Sequence, residues 1–265
     1  MEPFWSRMPI QPYLENDGVT LYHGDCRDVL PELQSEAFDL ALTDPPYLVS
    51  YTGRWDSDLR AIEGDSDPSW IDPVFTEVWR VLKRDSLCLS FYGWPHADAF
   101  LGTWKAIGFR PISLIALLKH HWGFGRFTRA QHETAYLLAK GHPERPAQAI
   151  SDVLDWGQVS PLLHPNQKPL GAISKLIATY TPRTACVLDP FCGSGTTLIG
   201  ARALGRSAVG IEIEERFCEV AALRLSQQVL NFPEHIELPE QLPLDQESLS
   251  WLPKHQPESE KTNHD

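Results

Sequence analysis

Val187-Leu188-Asp189-Pro190-Phe191-Cys192-Gly193-Ser194-Gly195-Thr196-Thr197 is the stretch whose reading decides the fold. The apolar run Ala185-Cys186-Val187-Leu188 has the length of a buried strand, and Leu198-Ile199-Gly200-Ala201 after the glycines continues as a helix. Between them, Gly193 and Gly195 let the backbone turn sharply and come close to a ligand, and Asp189 sets a carboxylate at the strand's end. Strand, glycine turn and helix in this order make the ligand-binding edge of an α/β sheet. A second strand, residues 207–213, contains Glu212 about 20 residues after the turn, where nucleoside-binding folds put a carboxylate on ribose hydroxyls. The pair points to a nucleoside cofactor. A glycine turn alone also marks a close-packed strand-to-helix corner, and no Gly-Lys-Ser/Thr follows, which argues against a phosphate loop of the Walker type.

Upstream, residues 19–22 read as a strand that ends at His23-Gly24-Asp25, so Asp25 is another carboxylate at a strand terminus, and residues 26–33 read as a short helix. Residues 37–43 form a buried-strand pattern that stops abruptly at Asp44-Pro45-Pro46-Tyr47. The prolines forbid both continued pairing and a helix, leaving Asp44 and Tyr47 in a stiff, extended corner. Residues 51–67 are long, polar and without periodicity, as expected of a lid or substrate loop. Trp70, Val74, Val78, Val81 and Leu82 recur at helical spacing, so residues 69–83 should pack as an amphipathic helix with Trp70 in the core. Further strands are expected at 87–92, 111–119 and 132–140, the last two paired through a basic loop, with a helix at 95–107. After a polar stretch, His164-Pro165-Asn166-Gln167-Lys168-Pro169 opens a helix over 170–180, and residues 214–229 give a final amphipathic helix. No internal repeat or metal-ligand cluster is present in the sequence, and no metal is expected.

The 265 residues, 42% of them hydrophobic, suit one large domain with attachments. The first 16 residues lack an apolar core and the run Leu114-Ile115-Ala116-Leu117-Leu118 is too short for a bilayer, so a cytoplasmic protein without membrane contact is expected. Five cysteines, an odd number without Cys-x-x-Cys spacing, read as reduced packing thiols. A net charge of -12 argues against indiscriminate coating of DNA, but half of it sits in residues 231–265, where eight acids, two lysines and five prolines read as a disordered tail. Residues 119–145 instead carry a net charge of +3, with Arg126 and Arg129 among the basic residues, and are the candidate nucleic-acid face.

Taken together, Asp44-Pro45-Pro46-Tyr47, His164-Pro-x-x-Lys168-Pro169, the aspartate-led glycine turn, Gly205-Arg206 and Gly210-Ile-Glu212 resemble the permuted, or β-group, DNA amino-methyltransferases. The likeness runs from about residue 20 to 225 and departs from the family in a short 140–164 region and in the tail. It implies a Rossmann-like, seven-stranded, mostly parallel sheet with one antiparallel strand near the edge and circularly permuted motif order. The catalytic domain would span residues 1–230, with target-contacting insertions near 48–67 and 120–165, followed by the acidic tail. It implies S-adenosylmethionine as cofactor and double-stranded DNA as partner, and a homodimer is allowed for. Asp44, Pro45, Pro46 and Tyr47 would be catalytic. Glu212 would meet the ribose and Asp25 the adenine end, with Asp189, Phe191, Cys192, Gly193, Ser194 and Gly195 around the methionine part. Thr196, Thr197 and Lys168 would hold the methionine carboxylate, and Tyr51, Arg54, Trp55, Arg126 and Arg129 would contact DNA. An aspartate ahead of Pro-Pro in this family favours adenine-N6 as target. Cytosine-N4, RNA or protein glutamine amides, and a non-catalytic DNA-binding partner are the competing readings.

Overall fold

β3 (Phe38–Thr43) lies at the centre of the sheet because both of its faces are apolar: Leu40 and Leu42 enter one core, Phe38 and Ala41 the other. In this computed structural model residues 10–48, 67–120, 127–157 and 167–226 are described. The expected DNA contacts Tyr51, Arg54, Trp55 and Arg126, the His164-Pro165-Asn166 segment and the acidic tail lie outside the described residues.

Before β3 come β1 (Leu14–Asn16), β2 (Val19–His23) and the short helix α1 (Cys26–Val29). After it follow α2 (Ile71–Val81), β4 (Leu82–Phe91), α3 (Ala97–Ile107), β5 (Arg110–Leu118), β6 (His132–Lys140) and β7 (Val153–Asp155). The chain closes with α4 (Leu170–Tyr180), β8 (Cys186–Asp189), α5 (Thr196–Ala203), β9 (Ser207–Glu212) and α6 (Glu215–Ser226). All described strands join one sheet in the order β1-β2-β9-β8-β3-β4-β6-β5-β7. Without the three-residue edge strands β1 and β7, this is the expected seven-stranded sheet, parallel except for β6. β7 falls within the polar stretch ahead of α4, for which the sequence predicts no strand; three residues are too few for a periodicity to show, and its pairing with β5 is set by tertiary contact.

The helices cover both faces. α2 and α3 bury Val74, Phe75, Val78, Phe100 and Trp104 on one side, and α4, α5 and α6 bury Ile173, Leu176, Leu198, Ala201 and Ala221 on the other. Trp70 is core, as its spacing predicts. From β8 the chain passes through α5 to β9, and from β3 through α2 to β4, so the two adjacent parallel strands send their connections in opposite directions along the sheet. A ligand crevice forms outside the C-terminal ends of strands at such a switch point. Asp44 and Asp189 both lie at that edge.

Candidate active site

The proline corner leaves β3 at Asp44, with Pro45 buried and Asp44 and Tyr47 partly exposed toward the crevice. The Tyr47 hydroxyl donates to Asp44 Oδ1 at 2.6 Å, and the Lys168 ammonium contacts Asp44 Oδ2. Lys168, delivered from the loop before α4, is buried and also lies 3.0 Å from Glu133 Oε2 on β6. The other Glu133 oxygen is held at 2.5 Å by Lys119, just past the end of β5, whose ammonium sits 4.6 Å from the Trp156 ring centroid. Lys168 further lies 4.7 Å from the Phe91 ring centroid. Two carboxylates and two ammonium groups thus form one alternating chain behind the corner.

Burial pushes the Asp44 carboxyl up, with Glu133 adding to the rise and Lys168 and Tyr47 opposing it. Burial alone would lower the Lys168 pKa, but the facing Asp44 and Glu133 carboxylates outweigh it and raise the ammonium's pKa. Glu133 moves down despite its burial because Lys168 and Lys119 both stabilise its charge. The Tyr47 phenol, largely shielded from solvent and facing two carboxylates, is pushed well up and stays a donor. A further support comes from the end of β4: a Cβ on Gly93 would lie 2.3 Å from the Tyr47 carbonyl oxygen, so only glycine lets the two segments pass.

The glycine turn is organised differently. Gly193 and Gly195 have φ values of 51° and 78°, and a Cβ on Gly195 would sit 3.0 Å from that of Ala221 on α6. Asp189 accepts from the Phe191 N–H at 3.2 Å and from the Thr197 side chain, yet burial raises its pKa to about 7. Glu212, whose pKa burial also raises, accepts from Gly193 N–H at 2.9 Å and from Glu214 N–H at 2.8 Å. Cys192 is buried and Phe191 packs edge-on against Trp70 at 5.3 Å. Asp25 caps α1 through Arg27 N–H at 2.8 Å and pairs with the Arg27 guanidinium, which holds its carboxyl below the usual range. It follows two residues after His23, which pairs with Glu212 across β2 and β9.

The three groups expected to share the methionine carboxylate have other partners here. Lys168 bonds Asp44 and Glu133, Thr197 bonds Asp189, and the Thr196 hydroxyl accepts from Arg224 at 3.2 Å. A buried ammonium takes the nearest carboxylates, and for Lys168 these come from segments remote in sequence. Arg224 on α6, which no local motif singles out, also donates to the Ser194 carbonyl at 2.6 Å and its hydroxyl at 3.0 Å. Arg129 is exposed. Two other basic residues of the candidate nucleic-acid face turn inward: Lys119 toward Glu133, and Lys140, whose ammonium donates to the Trp79 and Leu82 carbonyls at 2.6 Å. Glu133 and Gly93 carry no local mark, and Lys119 stands out only as part of the basic face; the one local signal is a pair of opposite charges flanking a hairpin.

A model of the N6/N4 methyltransferase family, described as DNA methylase, matches residues 38–223 and so takes in both the corner and the turn. The chain belongs to this family. Among its relatives, the Escherichia coli (strain K12) protein named "Putative methylase YubD" is 39% identical over 203 residues, covering 77% of this chain and 88% of that one. The crystal structure of TTHA0409 from Thermus thermophilus, complexed with S-adenosyl-L-methionine, is 25% identical with a TM-score of 0.62, over 80% of this chain and 95% of that one. PvuII DNA methyltransferase, described as cytosine-N4-specific, shares the fold with a TM-score of 0.70 at 15% identity, over 84% of this chain and 92% of that one. As a DNA methylase, the chain requires a methyl donor and a nucleic-acid acceptor, and the turn and the corner lie side by side at one edge of its sheet.

Proposed function

We propose that this chain transfers a methyl group from S-adenosylmethionine to the exocyclic amino nitrogen of adenine in duplex DNA. Methylation of DNA with S-adenosylmethionine as donor follows from the family and from the donor-bound TTHA0409. The pairing of β3 with β8, Leu40 opposite Val187 and Ala41 opposite Leu188, carries the reading by supporting a shared crevice for donor and acceptor. The residues present fit the donor: two positive-φ glycines leave room where side chains would crowd the backbone, and Glu212 lies at the end of the next strand. When bound, S-adenosylmethionine supplies an electrophilic methyl.

Glu212 would hold the ribose hydroxyls and Asp25 would face the adenine end. Asp189, Phe191, Cys192, Gly193, Ser194 and Gly195 would surround the methionine part. Its carboxylate would meet the start of α5, with the positive charge behind it supplied by Arg224 through Ser194 and Thr196.

An adenine amine is a poor nucleophile because its lone pair is conjugated with the ring. Asp44 and the Pro45 carbonyl would each accept one N–H, favouring a pyramidal nitrogen and stabilising the positive charge that develops on it. Asp44 would then receive the proton the methylated nitrogen sheds. Pro45 and Pro46 keep these acceptors stiff, and Tyr47 presents its ring to a base that must leave the helical stack to be reached. The carboxylate of Asp44 supports adenine, because in the resembling family an aspartate at this position usually accompanies that base. Cytosine-N4 is the second reading, since PvuII carries that specificity on the same fold. Incubation with methyl-labelled donor and either duplex DNA or RNA tests the reaction; label is expected in the duplex, and label in RNA alone would contradict it.

A further inference from the structure

Lys168 occupies the acceptor that the proposed reaction needs. Its ammonium presents N–H donors to Asp44 Oδ2, lies 3.2 Å from the Tyr47 hydroxyl and stands over the Tyr47 ring at 5.5 Å. A target amine also carries N–H donors and must reach the same carboxylate, so it has to displace this group. Stripping a buried ammonium of its carboxylate is strongly unfavourable unless another acceptor is ready. Glu133 Oε2 is already 3.0 Å away, and Lys119 fixes the second Glu133 oxygen so that the carboxylate cannot swing out of reach.

We infer that Glu133 is a positioning residue that takes over the Lys168 ammonium when the target amine displaces it from Asp44. The inference rests on the reading of Asp44 as acceptor of that amine. Lys168 is then a placeholder for the substrate amine in the resting enzyme, and Glu133 is its alternative partner. Charge stays balanced throughout, because both carboxylates and both ammonium groups remain in the cluster. With Glu133 uncharged, Lys168 stays on Asp44 and competes with the base.

Full-length Glu133→Gln tests this by melting, donor calorimetry and steady-state methyl transfer to duplex DNA. Since phosphate contacts dominate DNA affinity while the amine competes only at Asp44, kcat should fall about tenfold or more, with donor Kd and DNA KM changed less than about twofold. Glu133→Asp should recover part of the loss. In a Lys168→Met background, where nothing competes for Asp44, Glu133→Gln should cause no further fall in kcat. A merely structural Glu133 would weaken donor binding and kcat together in both backgrounds, and that result overturns the inference, as does an unchanged kcat in a folded Glu133→Gln. Should Glu133→Gln fail to melt cooperatively, Glu133→Asp carries the same two-background comparison. A folded Asp44→Ala that transfers methyl at the wild-type rate refutes the role of Asp44 itself, an outcome separate from those above.

Discussion

The proline corner after β3 and the glycine turn after β8 stand on adjacent strands, yet different physics holds each in place. The turn is shaped mostly by its own residues, positive-φ glycines and an Asp189 carboxylate accepting from Phe191 two residues on, with Glu212 on the neighbouring strand and Arg224 on α6 bonding it from further along the chain. The corner depends on groups far away in sequence, with Lys168 meeting Asp44 across 124 residues and Glu133 meeting Tyr47 across 86. Backbone geometry suits a cradle for a fixed cofactor, because it leaves nothing to rearrange. A charge network suits a place where one hydrogen-bonding partner must be exchanged for another.

If the comparison is right, damage to each region should read out separately. Asp44→Ala should lower methyl transfer by roughly a hundredfold to a thousandfold while calorimetry finds the donor still bound, because only the corner loses an acceptor. Near-normal turnover would break the distinction. Gly93→Ala should lower transfer by about a hundredfold, since its Cβ would meet the Tyr47 carbonyl at 2.3 Å and shift the corner. A donor affinity that fell equally would show that the two regions move as one. Glu212→Ala should do the reverse, weakening donor binding by roughly tenfold through loss of two backbone N–H partners and the proposed ribose contact, with a smaller change in kcat at saturating donor.

The smallest effect concerns pH. Asp189 has a folded pKa of about 7, above its ordinary value of 3.8, so between those values the folded protein binds more protons than the unfolded chain. Its contribution to stability is present below about pH 4 and is lost as pH rises toward 7. Asp189→Asn should therefore melt higher than the wild type at pH 8 by roughly a few degrees, with the gap closing by pH 4. Scanning calorimetry at both pH values checks this, and an equal gap at the two would remove burial of Asp189 as its cause.

The same contrast explains what was legible in the sequence. Gly193, Gly195 and Asp189 lie within seven residues of one another, so local rules of strand, turn and helix suffice to read the turn. The apolar runs at 37–43 and 185–188 likewise declare central strands, and the ending Asp44-Pro45-Pro46 declares a stop. Lys168 was visible, but its partners were not, because nothing local announces that β6 and the loop before α4 converge behind β3. Gly93 was hidden for the same reason: its φ of -78° is ordinary, and only the passage of Tyr47 beside it makes a side chain intolerable. Lys119 and Lys140 counted as surface charge until the hairpin turned them inward.

Whether the corner methylates an adenine amine can be read from the product itself. Duplex DNA is incubated with the protein and with S-adenosylmethionine carrying an isotopically labelled methyl, then digested to nucleosides and analysed by mass spectrometry. The wild type should yield labelled N6-methyldeoxyadenosine, and Asp44→Ala should lose that product. Labelled N4-methyldeoxycytidine without any methylated deoxyadenosine would contradict the assignment of the target base.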